Sequence, residues 1–189
     1  DENIFFDIGS NIGLYSVYYA KIKKGEVYTF EPSVFNTEVL VKNIIANELE
    51  DKVYVFNIPL SEKKSINNFN LQSMQSGHSG SSFGVNYGAR GNKIKKISHY
   101  KTISLSIDDL FDIGLIKEIP KLVKIDVDGI EIDILKGGAK CLSHPQCHSI
   151  YIETFRNENS DKSKKINDIL INYGFKLKKI VGINEIWIK

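Results

Sequence analysis

The segment from Asp7 to Gly13 combines residue types and a spacing that suit ligand binding. Asn3 to Asp7 predicts a buried strand, and DIGSNIG leads from its end into a helical pattern. A strand, a glycine-rich turn and a helix N-terminus let a ligand lie against backbone N–H groups. The dinucleotide pattern G-x-G-x-x-G is absent, because its first position is Asp7 and its last is Ile12. An acid there repels a pyrophosphate but suits an ammonium or sulfonium group, or a hydroxyl that needs an acceptor.

A second carboxylate stands at the end of the next predicted strand, Glu26 to Phe30. The sequence continues as Glu31-Pro32, which places Glu31 at the strand tip. Nucleoside-binding α/β proteins hold a ribose at this position, and one carboxylate can accept both hydrogen bonds of a cis-diol. The alternative is that Glu31 stabilises the N-terminus of the following helix by its charge.

Three further carboxylates follow the predicted strand Leu122 to Asp126. Asp126 ends that strand, while Asp128 and Glu131 fall on the turn and on the first turn of the next helix. Carboxylates also favour a helix N-terminus electrostatically, so capping is the alternative role for Asp128 and Glu131. Lys124 lies two residues before Asp126, on the same strand face, where it could balance its charge.

Between Glu62 and Lys101 the periodic pattern gives way to Ser, Gly, Asn and Gln. We predict a Gly/Ser-rich insertion at about 62–103 without regular structure, and a mobile lid from about Ser73 to Asn92; disorder is the alternative. His78 is a candidate general base in such a lid, although an isolated loop histidine is usually solvated. The remaining histidines show no metal-ligand spacing with one another or with the cysteines, so no metal site is predicted.

The elements that must position these residues alternate between short apolar runs and helix-period segments. This alternation predicts a single α/β domain over residues 1–189 with a mostly parallel sheet and helices on both faces. An antiparallel hairpin around Gly182 closes the predicted order.

Composition excludes several classes of protein. The 189 residues carry 25 Lys+Arg and 23 Asp+Glu, and the net charge of +2 does not demand a polyanionic partner. No stretch approaches the ~20 apolar residues of a membrane-spanning helix. Cys141 and Cys147 lack a zinc spacing and predict free thiols and a cytoplasmic location. Two basic clusters predict solvated faces, with a polyanionic acceptor as the alternative: Lys93, Lys95 and Lys96, and Lys176, Lys178 and Lys179.

Several motifs together resemble the FkbM family of S-adenosylmethionine-dependent methyltransferases. They are DIGSNIG, FEP, PLSE at Pro59 to Glu62, SIDDL at Ser106 to Leu110 and KIDVDGIEIDILKG at Lys124 to Gly137. Asp128 departs from the family, which more often has Glu there. The resemblance implies a Rossmann-like seven-stranded methyltransferase sheet whose last strand is antiparallel. It also implies S-adenosylmethionine contacts from Asp7, Gly9, Ser10, Asn11, Gly13, Glu31 and Ser61.

The implied reaction is methyl transfer, usually to a hydroxyl of a sugar, polyketide or related metabolite, so a small molecule or glycan is the expected partner. Positioning is the main task of such an enzyme, and a base is needed only where the hydroxyl must lose its proton. We take Asp126, Asp128 and Glu131 as the catalytic candidates, with a divalent ion at Asp126 and Asp128 left open. The alternatives are a non-catalytic binding module and a nucleic-acid or amino-group methyltransferase, although the latter's frequent [DNS]-P-P-[YFW] tetrapeptide is absent.

Overall fold

The computed structural model describes residues 3–88, 90–156 and 160–189 of the chain. Strands and helices alternate through most of them, as the periodicity predicted. The strands are β1 (Ile4–Ile8), β2 (Glu26–Phe30), β3 (Val53–Phe56), β4 (Ser65–Leu71), β5 (Ser82–Phe83), β6 (Ser98–Ser104), β7 (Leu122–Ile125), β8 (Ser149–Glu153), β9 (Lys176–Val181) and β10 (Asn184–Ile188). The helices are α1 (Leu14–Ile22), α2 (Val34–Ala46), α3 (Ile107–Asp112), α4 (Glu131–Gly137), α5 (Ala139–Ser143) and α6 (Ser160–Asn172).

Seven strands form the main sheet in the order β3-β2-β1-β7-β8-β10-β9. The five strands from β3 to β8 are parallel, whereas β10 runs antiparallel to both β8 and β9. The predicted α/β class, the mostly parallel sheet and the closing hairpin are therefore confirmed. Carboxyl ends of adjacent parallel strands share one edge of a sheet, so Glu31 and Asp126 follow strands that end on the same edge.

Successive residues of each strand face opposite sides of the sheet, and helices cover both sides. Phe5 and Val27 pack with Leu40 of α2 on one face. Phe6 faces the other side, in a core shared with Ile134 of α4 and Leu170 of α6. The sheet therefore holds its carboxyl edge between two packed layers, with the loops of that edge left to form a site.

The insertion is more ordered than the sequence indicated, because β4, β5 and β6 form a second, antiparallel sheet. Strands β4 and β6 pair over their whole length, from Ser65 opposite Ser104 to Leu71 opposite Ser98. The segment SINNFNL has too many asparagines to show a period-two pattern, and ladder pairing with β6 compensates for their low strand propensity. The mobile lid stays a prediction, and Ala89 within it lies outside the described residues.

Among the described residues, none of the helices is long and apolar enough to cross a membrane. Cys141 and Cys147 are free thiols, as predicted, and both are buried.

Candidate active site

A cavity of about 300 Å³, here called the strand-end cavity, lies along the carboxyl edge of the main sheet. Its floor is made by residues at or just after the ends of five adjacent parallel strands, and its roof includes residues 78, 79 and 81–83 of the insertion. The floor residues include Gly9 and Asn11 after β1, Glu31 after β2, Ile58 and Pro59 after β3, Asp126 and Asp128 after β7, and Glu153 and Phe155 at the end of β8.

Gly9 allows the turn after β1 to lie directly against the end of β7. Its φ is +77°, and a Cβ built on it would lie 1.9 Å from the backbone oxygen of Asp126. A side chain is therefore excluded at this position by conformation and by space. The close approach joins the two central strands at the middle of the strand-end cavity.

A buried ion network ties the same two strands together. The ammonium of Lys124 lies 3.3 Å from Asp7 Oδ1 and 3.1 Å from Asp126 Oδ2, and it donates to the backbone oxygen of Gly9 at 3.1 Å. Asp7 also accepts a 2.6 Å hydrogen bond from the hydroxyl of Ser16 in α1. Burial opposes the charge of Lys124, but the two carboxylates outweigh it and raise its pKa. The expected charge balance between Lys124 and Asp126 is thus present and extends to Asp7.

Glu31 is held by two backbone donors at the floor of the strand-end cavity. Asn11 N donates to Glu31 Oε2 and Ser33 N donates to Oε1, each at 2.8 Å. Burial raises the pKa of this carboxyl to about 7, against the opposing effect of these hydrogen bonds. Each carboxylate oxygen can accept a second hydrogen bond, so a ligand diol and the helix-end contact to Ser33 are compatible.

Residues 77–82 of the insertion are fastened to the floor at three points. The side chain of Asn36 accepts from Gly77 N at 2.8 Å and donates to the backbone oxygen of His78 at 3.2 Å. Asn11 Nδ2 donates to the backbone oxygen of Gly77 at 3.3 Å. Gly80 N donates to Asp128 Oδ2 at 2.6 Å. The described conformation is therefore a closed one, with the insertion lying over the strand-end cavity.

The carboxylates after β7 have different surroundings. Asp128 faces the cavity, and burial, reinforced by the charge of Asp126, raises its pKa. Glu131 does not line the cavity: it is fully buried, and Lys162 Nζ of α6 lies 2.6 Å from its Oε2. Burial raises the pKa of Glu131 to about 7 despite that cation. The structure thus brings two of the three catalytic candidates to the cavity.

Four of the predicted cofactor-binding residues also lie off the cavity lining. Asp7 points into the ion network, and Ser10 is buried. Gly13 precedes α1 with a φ of +83°, and a Cβ built on it would lie 2.2 Å from Leu40 Cδ1. The hydroxyl oxygen of Ser61 lies 2.9 Å from the backbone oxygen of Lys63 and 2.9 Å from Ser104 Oγ, within hydrogen-bond distance of both. Gly9, Asn11 and Glu31 are the members of the predicted set that line the cavity.

Glu153 lines the cavity and was not among the residues singled out from the sequence. It ends β8 just as Asp126 follows β7, and that equivalence was the available signal. Burial together with the charges of Asp126, Glu131 and Asp128 raises its pKa to about 8. Despite these acids, no group of three or more His, Cys, Asp or Glu residues within the described ranges has an arrangement that could hold a metal ion.

The sheet order, the glycine turn and a carboxylate after β2 define a Rossmann-like methyltransferase. The chain belongs to the family described as the methyltransferase FkbM domain, whose model matches residues 7–177. The resemblance seen in the motifs is thereby confirmed, and the protein is a methyltransferase. Family and fold imply S-adenosylmethionine as the methyl donor. No protein of curated function matches the chain by sequence similarity.

Solved structures share the fold at low sequence identity. A precorrin-6y C5,15-methyltransferase from Geobacter metallireducens is 12% identical with a TM-score of 0.57, covering 100% of this chain and 80% of its own. An rRNA methylase from Streptococcus thermophilus is 11% identical with a TM-score of 0.54, covering 99% and 85%. The fibrillarin pre-rRNA processing protein of Methanococcus jannaschii is 14% identical with a TM-score of 0.55, covering 99% and 66%. The named acceptors differ, so this likeness identifies the fold and leaves the acceptor to the site.

Proposed function

We propose that this methyltransferase uses S-adenosylmethionine to methylate a hydroxyl of an uncharged small molecule or glycan, such as a sugar or a polyketide-like alcohol. The observation that carries the proposal is the acidic character of the residues that line the strand-end cavity. Four carboxyl groups line it, and no lysine or arginine within the described ranges does. Those carboxyl groups belong to Glu31, Asp126, Asp128 and Glu153.

An acidic cavity discriminates between ligands by charge. The donor has a sulfonium and an ammonium group, both of which carboxylates attract, whereas a phosphorylated acceptor meets repulsion. The buried amide oxygen Asn11 Oδ1 has no hydrogen-bond partner among the described residues, which leaves an acceptor for a ligand N–H or O–H. The residues that line the cavity therefore fit S-adenosylmethionine and favour a neutral methyl acceptor.

Each floor residue has a task in this proposal. Glu31 accepts hydrogen bonds from a ribose diol, as carboxylates after the second strand do in nucleoside binders. Asp126 is held by Lys124, and its side chain is 39% exposed. Its carboxylate can therefore pair with the ammonium group of the cofactor. Gly9 lets the ligand approach the backbone between these two positions. When bound, S-adenosylmethionine supplies an electrophilic methyl group, and the chain supplies its orientation.

Calorimetry on Glu31→Gln tests the cofactor assignment. S-Adenosylmethionine and S-adenosylhomocysteine share the ribose, so both should bind about 10- to 150-fold more weakly, the equivalent of ~1.5–3 kcal/mol for a charge-assisted hydrogen bond. Glu50→Gln is the matched control, since Glu50 is exposed and lies outside the cavity lining. Unchanged affinity of Glu31→Gln for both ligands would contradict the assignment.

The acceptor class is tested by methyl transfer from tritium-labelled S-adenosylmethionine. We expect label in methyl hexosides and methyl deoxyhexosides and none in ribosomal RNA. Binding of the cofactor without transfer to either class would favour a non-catalytic binding module. The RNA arm is included because exposed Lys93, Lys95 and Lys96 of the insertion form a basic surface, and polyanions bind such surfaces. Labelled RNA would replace the proposed acceptor with a nucleic acid.

Cys141 and Cys147 are both buried free thiols, which is consistent with a reducing compartment. We include a cytoplasmic location in the proposal on that ground.

A further inference from the structure

Glu153 differs from the other carboxyl groups that the structure describes at the carboxyl edge of the sheet. Asp126 is paired with Lys124, Asp128 accepts from Gly80 N, Glu131 is paired with Lys162, and Glu31 accepts two backbone N–H groups. The Glu153 side chain has neither a hydrogen bond nor an ion pair with any described residue, yet it lines the strand-end cavity. Its carboxyl group is therefore available to a ligand without the loss of an internal contact.

The backbone that carries Glu153 is firmly anchored. Glu185 of β10 is fully buried and accepts from the hydroxyl of Thr154 at 3.1 Å, from Arg156 Nε at 2.7 Å and from Trp187 Nε1 at 2.9 Å. These bonds hold the chain on both sides of Phe155. A site group on a rigid support keeps its geometry without further ordering.

Phe155, two residues after Glu153, has an unusual conformation. Its φ is +47°, a left-handed value that costs a non-glycine residue about 1–2 kcal/mol. The conformation places Phe155 in the lining of the cavity, where the guanidinium of Arg90 lies 5.1 Å from the centre of its ring. Strained backbone that is held by its surroundings is concentrated at functional sites.

The end of β8 lies on the side of the cavity away from the ribose position. Glu31 follows β2, and β1 and β7 stand between β2 and β8, so three strand spacings, about 14 Å, separate the two ends. A cofactor that contacts both Glu31 and Asp126 must span the cavity from the end of β2 to the end of β7. The wall formed by Glu153 and Phe155, opposite the lining residues Ile58 and Pro59 that follow β3, is then left for the acceptor.

From this geometry we propose that Glu153 is the general base that takes the proton of the acceptor hydroxyl. The acceptor oxygen forms a bond to the methyl carbon, the carbon–sulfur bond breaks with its electron pair kept on sulfur, and the hydroxyl proton passes to the Glu153 carboxylate. This inference rests on the proposed function and adds a catalytic residue that the motifs did not indicate.

The surroundings of Glu153 suit this role. Asp126 from the end of β7, Asp128 from the following turn and Glu131 of α4 face it with negative charge, and Lys162 of α6 opposes them. Burial and these acids raise its pKa to about 8, and a base works best when its pKa lies near the working pH. A carboxyl group with the ordinary pKa of about 4.3 would be a poor match for an alcohol.

Carboxyl-carbon NMR on the unliganded protein, with ¹³C-labelled glutamate, tests the proposal without an acceptor. The resonance lost in Glu153→Gln should titrate near pH 8, and it should titrate at a lower pH with S-adenosylmethionine bound than with S-adenosylhomocysteine, because the sulfonium favours the carboxylate. Glu50→Gln must leave that resonance in place. Titration of Glu153 in the ordinary glutamate range would overturn the proposal.

Kinetics and calorimetry supply the second measurement. With methyl hexosides as probes, Glu153→Gln should lower kcat about 10²–10⁴-fold and remove the acid limb of the pH profile, while both cofactor forms bind within about threefold of wild type. Loss of cofactor affinity with an unchanged pH profile would make Glu153 a cofactor-binding residue and overturn the proposal. If wild type binds the cofactor but methylates no probe, the proposed acceptor class fails, and the NMR titration alone decides on Glu153.

Discussion

Gly9→Ala should separate the two strands that form the centre of the strand-end cavity. A Cβ at this position would stand 1.9 Å from Asp126 O and 2.8 Å from Asp126 C, whereas ordinary contact begins at 3.4 Å. The obstructing atoms are backbone, so the turn and the end of β7 must move apart by about 1.5 Å. Displacements of about 1 Å near a reacting centre can cost on the order of 10²-fold.

Gly114→Ala is the matched control for this change. Gly114 has a φ of +72°, close to the +77° of Gly9, but a Cβ on it would meet nothing within 4 Å. Both variants bear the left-handed penalty of ~1–2 kcal/mol, and Gly9→Ala adds an overpacking cost of ~1–3 kcal/mol. At about 2–4 °C per kcal/mol for a domain of this size, Gly114→Ala should lower Tm by roughly 2–8 °C and Gly9→Ala by more.

The decisive assay is calorimetric binding of S-adenosylhomocysteine to the folded variants. Gly114→Ala should bind with wild-type affinity, and Gly9→Ala should bind at least about 100-fold more weakly. If the two variants bind equally well, the contact between Gly9 and the end of β7 does not shape the ligand site, and the reasoning from steric exclusion is refuted.

Three other perturbations probe the ion network, the insertion and the buried acids. Lys124→Met leaves Asp7 without its cation and should lower the free energy of unfolding, measured in urea, by ~3–5 kcal/mol. Lys42→Met breaks an exposed pair with Glu38 and should change that free energy by under ~1 kcal/mol. Equal effects of the two variants would contradict a stabilising role of the ion network. Asp128→Ala removes the acceptor of Gly80 N and should speed amide hydrogen exchange at residues 77–82 about 10- to 150-fold. Unchanged exchange rates would show that this hydrogen bond does not hold the insertion over the cavity. The unliganded protein should lose stability as the pH rises from about 4.5 to 8. The reason is that folding raises the pKa values of Glu31 and Glu131 to about 7 and that of Glu153 to about 8. A carboxyl group with a raised pKa contributes stability that is fully present below its unfolded pKa and is lost as the pH rises through its folded pKa. Tm measured between pH 5 and 8.5 should fall less steeply in Glu153→Gln, and an equal slope would contradict the raised pKa of that residue.

The insertion shows where residue patterns lose information. Its asparagine-rich strand β4 has no period-two pattern, because ladder hydrogen bonds to β6, some thirty residues away, stabilise it. Pairing over such a distance depends on backbone groups that all residues share, and residue type carries little signal of it. The closed position of residues 77–82 likewise depends on Asn36 and Asp128, which lie far away in sequence.

Outside the insertion, the sequence by itself determined the order of the main strands and helices, the glycine turn and the strand ends at which Glu31 and Asp126 lie. Those features are local, since hydrophobic period and turn chemistry act within a few residues. Glu31 and Asp126 could therefore be placed at one cavity, because the carboxyl ends of parallel strands share an edge.

Only the tertiary structure decided which of these acids face the strand-end cavity. Asp7 stands opposite Lys124 in the register between β1 and β7, so its carboxylate joins a buried ion pair beneath the cavity. Glu131 meets Lys162 of α6 in the same way, while Glu153 is left without a partner among the described residues. Side-chain direction at a strand end depends on register and on the charges that neighbouring elements bring, and both arise from residues distant in the chain.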